Sequence, residues 1–248
     1  MAIALNASAV NTRDGGDVSG SQVLFEQSLE LWRELGDEAA QARGLSNLAN
    51  VVKLQRDYAR ANVLYQECLA IFRRLRDKAG CAWALNHQGD VAREQGDAVE
   101  ARRLYQQSLA TFRELEDLWG IAGSLEDLGT LAREQEEFKA ADQALRESLE
   151  IFLKLEHKRG IARLIEAFAG LAAAQRAPER ALRLAGAAAA LRQSLGAPLG
   201  AAEQARLEWS LGSARKRLPT EASRTAWTEG WVMPIKAAVE EALGGTGP

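Results

Sequence analysis

Two histidines, His87 and His157, and two cysteines, Cys68 and Cys81, are the residues of this chain best suited to act as base, nucleophile or soft metal ligand near neutral pH. Each has a setting that decides its use. His87 lies beside Asn86 and Asp90, a neighbourhood suited to lining a groove. His157 occupies a slot that is Asp at 37, 77 and 117, and so reads as a residue closing one helix and opening the next. Cys68 stands where Ser108 and Ser148 stand forty and eighty residues on, which implies a small buried slot and not a reactive thiol. Four such ligands scattered over the chain do not match zinc spacing, so neither a metal nor a cofactor is expected. Carboxylates lie on every side of the chain, and no acid and base pair stands out among them. The expectation is a protein without catalytic activity.

The elements that carry these residues follow from composition and period. The chain has 248 residues, 47% of them apolar and 26% charged, enough to bury one or two cores. Its formal charge of −3 leaves no basic footprint for nucleic acid. Arg215-Lys216-Arg217 and the group Arg73, Arg74, Arg76 and Lys78 read as solvated faces. The longest small or apolar runs, Ala167 to Ala174 and Leu184 to Leu191, are too short to cross a bilayer. Met1 to Leu5 is mildly apolar, yet the first cation is Arg13, so the basic start of a signal peptide is missing and the expectation is cytoplasmic.

Phe25 to Asp37 recurs as Tyr65 to Asp77, Tyr105 to Asp117 and Leu145 to His157, always forty residues apart. Ala61 to Asp77 and Ala101 to Asp117 are identical at ten of seventeen positions, which excludes chance. A second series precedes it: Leu45, Leu48, Ala49 and Val52 align with Leu85, Gln88, Gly89 and Ala92, and with Leu125, Leu128, Gly129 and Ala132. Both series repeat at i, i+3, i+4 and i+7, so each unit is a pair of helices and not a propeller blade. Asp57, Gly96-Asp97 and Pro178 divide the two helices within units, and Asp37, Asp77 and Asp117 separate the units. Gly89 and Gly129 are expected to face Ala101 and Ala141 and let the paired axes approach closely. Tyr65 and Tyr105, with Phe72, Phe112 and Phe152, should fill the space toward the next unit.

These features resemble the tetratricopeptide repeat (TPR) family: the Leu, Leu, Gly or Ala series of the first helix, the Ala opening the second (Ala61, Ala101, Ala141, Ala181), and the aromatic four residues later. The period is longer than the usual 34, and Arg73, Arg113 and Leu153 replace the usual closing Pro, so the second helices should run on to Leu75, Leu115 and Leu155. The resemblance implies an all-α, right-handed α-α superhelix with C-terminal capping helices. Residues 1–195 would form about five helix pairs, 196–243 the cap, and 244–248 a disordered tail. Leu5 to Asn11 is expected to be a poor first helix of a degenerate unit, and its decay suggests that more protein once preceded it. The cap would comprise Ala201 to Leu218, a helix from Thr220 to Glu229 stopped by Gly230, and a last helix opened by Pro234. The stretch from Leu184 through Gly196-Ala-Pro-Leu199 to Ala226-Trp-Thr-Glu-Gly230 is similar to the C-terminal end of large bacterial regulators. Those combine an ATPase module, a TPR sensor arm and a LuxR-type DNA-binding or cyclase output domain. Only the arm is legible here.

First helices of stacked pairs line the inner wall, so their polar residues are the candidates for binding. Helical offsets select Arg43, Asn47, Asn50 and Lys53; Trp83, Asn86, Asp90 and Arg93; Glu126, Asp127, Thr130, Arg133 and Glu134; and Arg163 and Glu166. Lys53, Arg93 and Arg133 recur forty apart as a ladder of exposed cations, and Trp83 supplies one apolar anchor on a polar wall. A protein or peptide segment is the expected partner, with a small effector or self-association as alternatives, and neither nucleic acid nor membrane. TPR domains that clamp a C-terminal carboxylate carry Lys, Asn, Asn, Lys and Arg, which in one register fall here on Ser46, Asn50, His87, Gly123 and Asp127. Only Asn50 matches, and an acid replaces a required cation, so that mode is excluded.

Overall fold

The computed structural model describes residues 1–244, without the side chains at 201 and 202. The tail expected over 244–248 falls outside the described residues except for Gly244. Among the described residues there are thirteen helices and no strand: α1 Ala2–Asp14, α2 Val18–Glu34, α3 Glu38–Leu54, α4 Tyr58–Arg74, α5 Lys78–Glu94, α6 Ala98–Glu114, α7 Leu118–Glu134, α8 Phe138–Lys154, α9 Lys158–Ala174, α10 Pro178–Ser194, α11 Ala201–Arg217, α12 Thr220–Trp231 and α13 Ile235–Ala242. They stand in tandem pairs, the all-α repeat architecture that the sequence period implies. Leu75, Leu115 and Leu155 are each the residue just past a second helix, where the sequence places its end.

Three residues join each helix to the next from α2 to α10, and they do two jobs at once. The middle one is left-handed: Gly36 (φ 66°), Arg56 (64°), Arg76 (57°), Gly96 (83°), Glu116 (53°), Glu136 (59°), Glu156 (50°) and Arg176 (63°). In that geometry the Gly36 N–H donates to the Arg33 carbonyl and the Asp37 N–H to the Trp32 carbonyl, both at 3.1 Å, which closes the outgoing helix. The carboxylate of Asp37 then accepts from the Ala40 N–H at 2.9 Å and opens the incoming one. Asp17, Asp57, Asp77, Asp97 and Asp117 accept in the same way from Gly20, Arg60, Gly80, Glu100 and Gly120. His157 does so with Nδ1, accepting from the Gly160 N–H at 2.9 Å. Glu137 makes no such bond to the start of α8, and α10 relies on Pro178 in its first turn.

The packing divides into two compact units, residues 1–120 and 121 onward. In the first, Phe25, Leu29, Leu45, Leu48, Tyr65, Leu69 and Phe72 form a continuous core. Its close approaches differ in detail from expectation. Gly89 lies under the ring of Tyr105, where a Cβ would come within 2.7 Å of a ring carbon, and not against Ala101. Gly80 and Gly120, in the first turns of α5 and α7, sit against the rings of Phe72 and Phe112, leaving no room for a Cβ. The N-terminal segment expected to be a poor helix is a complete one, α1, although only Ala2 and Ala9 of it are buried.

The second unit is centred on Leu145, Phe152, Leu164, Ile165, Phe168, Leu182 and Leu184. Gly129 meets Leu145 and, at 3.3 Å, the Ala141 carbonyl oxygen, close to the contact expected. Helices α11 and α13 pack on α9 and α10, and α12 packs on α10. Gly230 does not stop α12, which continues through Trp231. Its lack of a side chain instead lets α12 lie against α10: a Cβ there would fall on the Arg183 carbonyl oxygen, and one on Gly186 would fall on that of Trp227. Arg180 donates to the Glu241 and Ala242 carbonyls at 3.0 and 3.1 Å and so caps α13.

Candidate partner-binding face of the first helices

In the first unit the candidate residues are tied to one another between helices. Asn47 on α3 donates from Nδ2 to Asn6 on α1 at 3.1 Å. Asn50 accepts from the Tyr65 hydroxyl at 2.8 Å. Lys53 Nζ reaches across to Asp90 on α5 at 2.5 Å, and the other oxygen of Asp90 accepts from the Tyr105 hydroxyl at 2.9 Å. His87 Nδ1 lies 3.8 Å from the Asp90 carboxylate, with its ring stacked between Tyr65 and Trp83 at centroid distances of 5.8 and 6.0 Å. Trp83 also packs at 4.9 Å on Phe112 and remains partly exposed. Asn86 is buried, and Arg43 is open to solvent.

The expected ladder of exposed cations is not what forms. Side-chain exposure is 18% for Lys53, 15% for Arg93 and 17% for Arg133, because each lies along a neighbouring helix or a fellow side chain. Lys53 is spent on Asp90. Burial by itself would raise the Asp90 carboxyl, but the Lys53 ammonium and the neighbouring His87 hold it well below the usual carboxylate range. Burial, with Asp90 and Cys68 adding to it, pushes the Tyr65 hydroxyl above its ordinary value. Burial likewise pushes the Cys68 thiol up to about 12, so it is a packed thiol at neutral pH. Burial also raises Cys81.

In the second unit Glu126 on α7 accepts from Arg163 on α9 at 2.7 Å, and Arg163 also lies 5.6 Å from the centre of the Phe152 ring. The Glu126 charge raises Arg163 against its burial. Glu166 receives two bonds from Arg192 on α10, at 2.5 and 2.9 Å, yet burial still lifts its carboxyl above the ordinary range. The Arg133 guanidinium lies over Gly170, where a Cβ would be 3.5 Å away. Thr130 and Asp127 are half-buried and Glu134 is exposed on the same helix. Arg192 and the hydroxyls of Tyr65 and Tyr105 belong to second helices, and offsets counted along first helices alone had no means of finding them.

No group of three His, Cys, Asp or Glu side chains among the described residues is disposed to hold a metal ion. No helix among them is long and apolar enough to cross a membrane.

A sequence profile of the tetratricopeptide repeat matches residues 1–74, 41–114 and 80–154, more than half of the chain. The chain belongs to the tetratricopeptide repeat family. No curated protein sequence matches it. Among solved structures, this TPR chain is similar to BtubC (BKLC) from P. vanneervenii, with 20% identity, a TM-score of 0.64, and coverage of 93% of this chain and 94% of that one. It is also similar to a kinesin light chain with nearly identical TPR-like repeats from Podosopora anserina, at 15% identity and a TM-score of 0.56 over 78% of this chain and 95% of that one. The apo form of RapI matches at 16% identity and a TM-score of 0.59, covering 90% of this chain and 83% of the other. These likenesses show the fold. TPR repeats are typical of protein-binding scaffolds, and proteins of this fold are generally non-catalytic.

Proposed function

We propose that the polar face of the first helices takes a protein or peptide segment, and that the chain performs no catalysis. The observation that carries this reading is the bonding of that face: Asn47, Asn50, Lys53 and Asp90 in one unit, and Glu126 and Arg163 in the other. Ion pairs this sheltered from water are often no more stabilising than apolar residues of similar volume. A repeat stack built only for stability has no need of them, whereas a recognition surface gains from polar groups already held in one conformation. Trp83 adds a partly exposed aromatic anchor, and Arg43 an exposed cation, next to the fixed groups.

In this reading α1 to α10 form the binding arm and α11 to α13 its cap. The arm is the sensor or scaffold part of a cytoplasmic bacterial signalling regulator, a role supported by the likeness of its C-terminal stretch to such regulators. The test is selection of peptides from a displayed library on the immobilised chain, followed by calorimetric titration of the selected peptides. Arg43→Glu and Trp83→Ser should each weaken them about tenfold or more. Arg43 is exposed, so its variant keeps the fold, and unchanged affinity in that variant would remove the face from consideration.

A further inference from the structure

Where the last turn of α11 meets the first two turns of α12, a cavity of about 410 Å³ is lined by Arg215, Thr220, Ser223, Arg224 and Trp227. It is separate from the first-helix residues discussed above. We propose that it binds a small organic phosphate monoester.

The lining supplies donors and almost no acceptors. Arg215 and Arg224 carry two planar guanidinium forks, the side chain best matched to oxyanions. Their present partners hold them weakly. Arg215 is 3.2 Å from Glu208 with both side chains about two-fifths exposed, and Arg224 is 3.5 Å from Glu221 with exposures of 71% and 81%. Pairs so open to water contribute little, so a doubly charged ligand can draw both guanidinium groups to itself. Thr220 and Ser223 add hydroxyls. Ser223 Oγ is shut off from solvent and has no hydrogen-bond partner, the state of a donor whose acceptor comes from outside the chain. Pro219, at the N-cap of α12, offers no side chain to the amides of the first turn, whose partial positive charge lies at the Thr220 end.

The balance of donors selects the ligand class. Two guanidinium forks and two hydroxyls exceed what one carboxylate can accept, and they suit a dianion with three terminal oxygens. The volume exceeds that of a bare phosphate and falls in the range of small-molecule pockets. Trp227, with Arg215 held 5.4 Å from its ring centre, gives the organic body an apolar wall.

The experiment titrates the intact chain with phenyl phosphate while following the indole N–H resonance of Trp227, assigned through Trp227→Phe. Benzoate and inorganic phosphate serve as the competing probes. Phenyl phosphate should shift that resonance saturably and bind more tightly than either competitor. Arg224→Gln should weaken it about tenfold without changing the melting temperature, and Ser223→Ala should weaken it several-fold. No saturable shift, equal binding of benzoate, or full affinity in Arg224→Gln would each overturn the assignment. Peptides selected on the first-helix face should bind Arg224→Gln normally, so the two sites fail or stand separately.

Discussion

The two units solve one geometric problem with opposite signs. In the first, a cation on α3 meets an acid on α5; in the second, an acid on α7 meets a cation on α9. Both pairs, Lys53 with Asp90 and Glu126 with Arg163, are separated by 37 residues. The repeat therefore sets where two side chains meet, three residues short of its own period, and leaves the order of charge free. That freedom makes the face specific to this chain, since identical stacking would be served by either order. Their surroundings also differ. Asp90 is braced by a tyrosine hydroxyl from α6, while Arg163 is braced by the ring of Phe152 from α8.

The largest effect expected is in the second unit alone. Gly230→Leu forces α12 away from the Arg183 carbonyl and should cost about 3 kcal/mol by urea unfolding, with hydrogen exchange quickening in α10 and α12 before the helices of the first unit. Next comes Asp90→Ala, which strands Lys53 and the Tyr105 hydroxyl together and should cost about 2 kcal/mol. The corresponding Glu126→Ala should cost less, about 1 kcal/mol, because Arg163 is two-fifths exposed and can turn to water. Equal losses at the two sites would show that the tyrosine brace adds nothing.

A pH dependence should separate the units further. Nδ1 of His157 must be unprotonated to accept from Gly160, and burial, together with Arg163 and Arg159, lowers its pKa below 6.5. Its capping contribution is then complete above the unfolded value and is lost as pH falls from about 6.5 through the folded one. Exchange of the α9 amides should quicken over that window, and His157→Asp should abolish the change. The smallest effect concerns the turns. Arg56→Gly and Arg76→Gly remove a side chain from a left-handed backbone, and each should raise stability by about 0.5–1 kcal/mol in thermal unfolding.

Much of this was legible in the sequence. The forty-residue period, the helical spacing within it and the aspartates at 37, 57, 77, 97 and 117 fix the order of helices and the start of most of them. The left-handed turn at every twentieth residue was hidden because Arg or Glu stands there at 56, 76, 116, 136, 156 and 176, where glycine alone would have announced it. Gly230 misled for the converse reason: a glycine near a helix end suggests a stop, and only the path of a distant helix shows that it serves a crossing. The candidate face was found by residue but not by state. Offsets along one helix say which side chains share a side, and they cannot say that Lys53 and Asp90, on different helices, meet each other. Exposure was therefore overestimated for the very cations thought most available.

The double substitution Lys53→Met with Asp90→Asn tests the central claim most directly, because it removes both charges and keeps an acceptor for the Tyr105 hydroxyl. Stability and affinity for the selected peptides are read on the same preparation. The account predicts unfolding within about 1 kcal/mol of the unsubstituted chain, with affinity down about tenfold or more. A protein that loses several kcal/mol of stability, or one that binds the peptides as before, would show that the pair is there to hold the stack together and not to meet a partner.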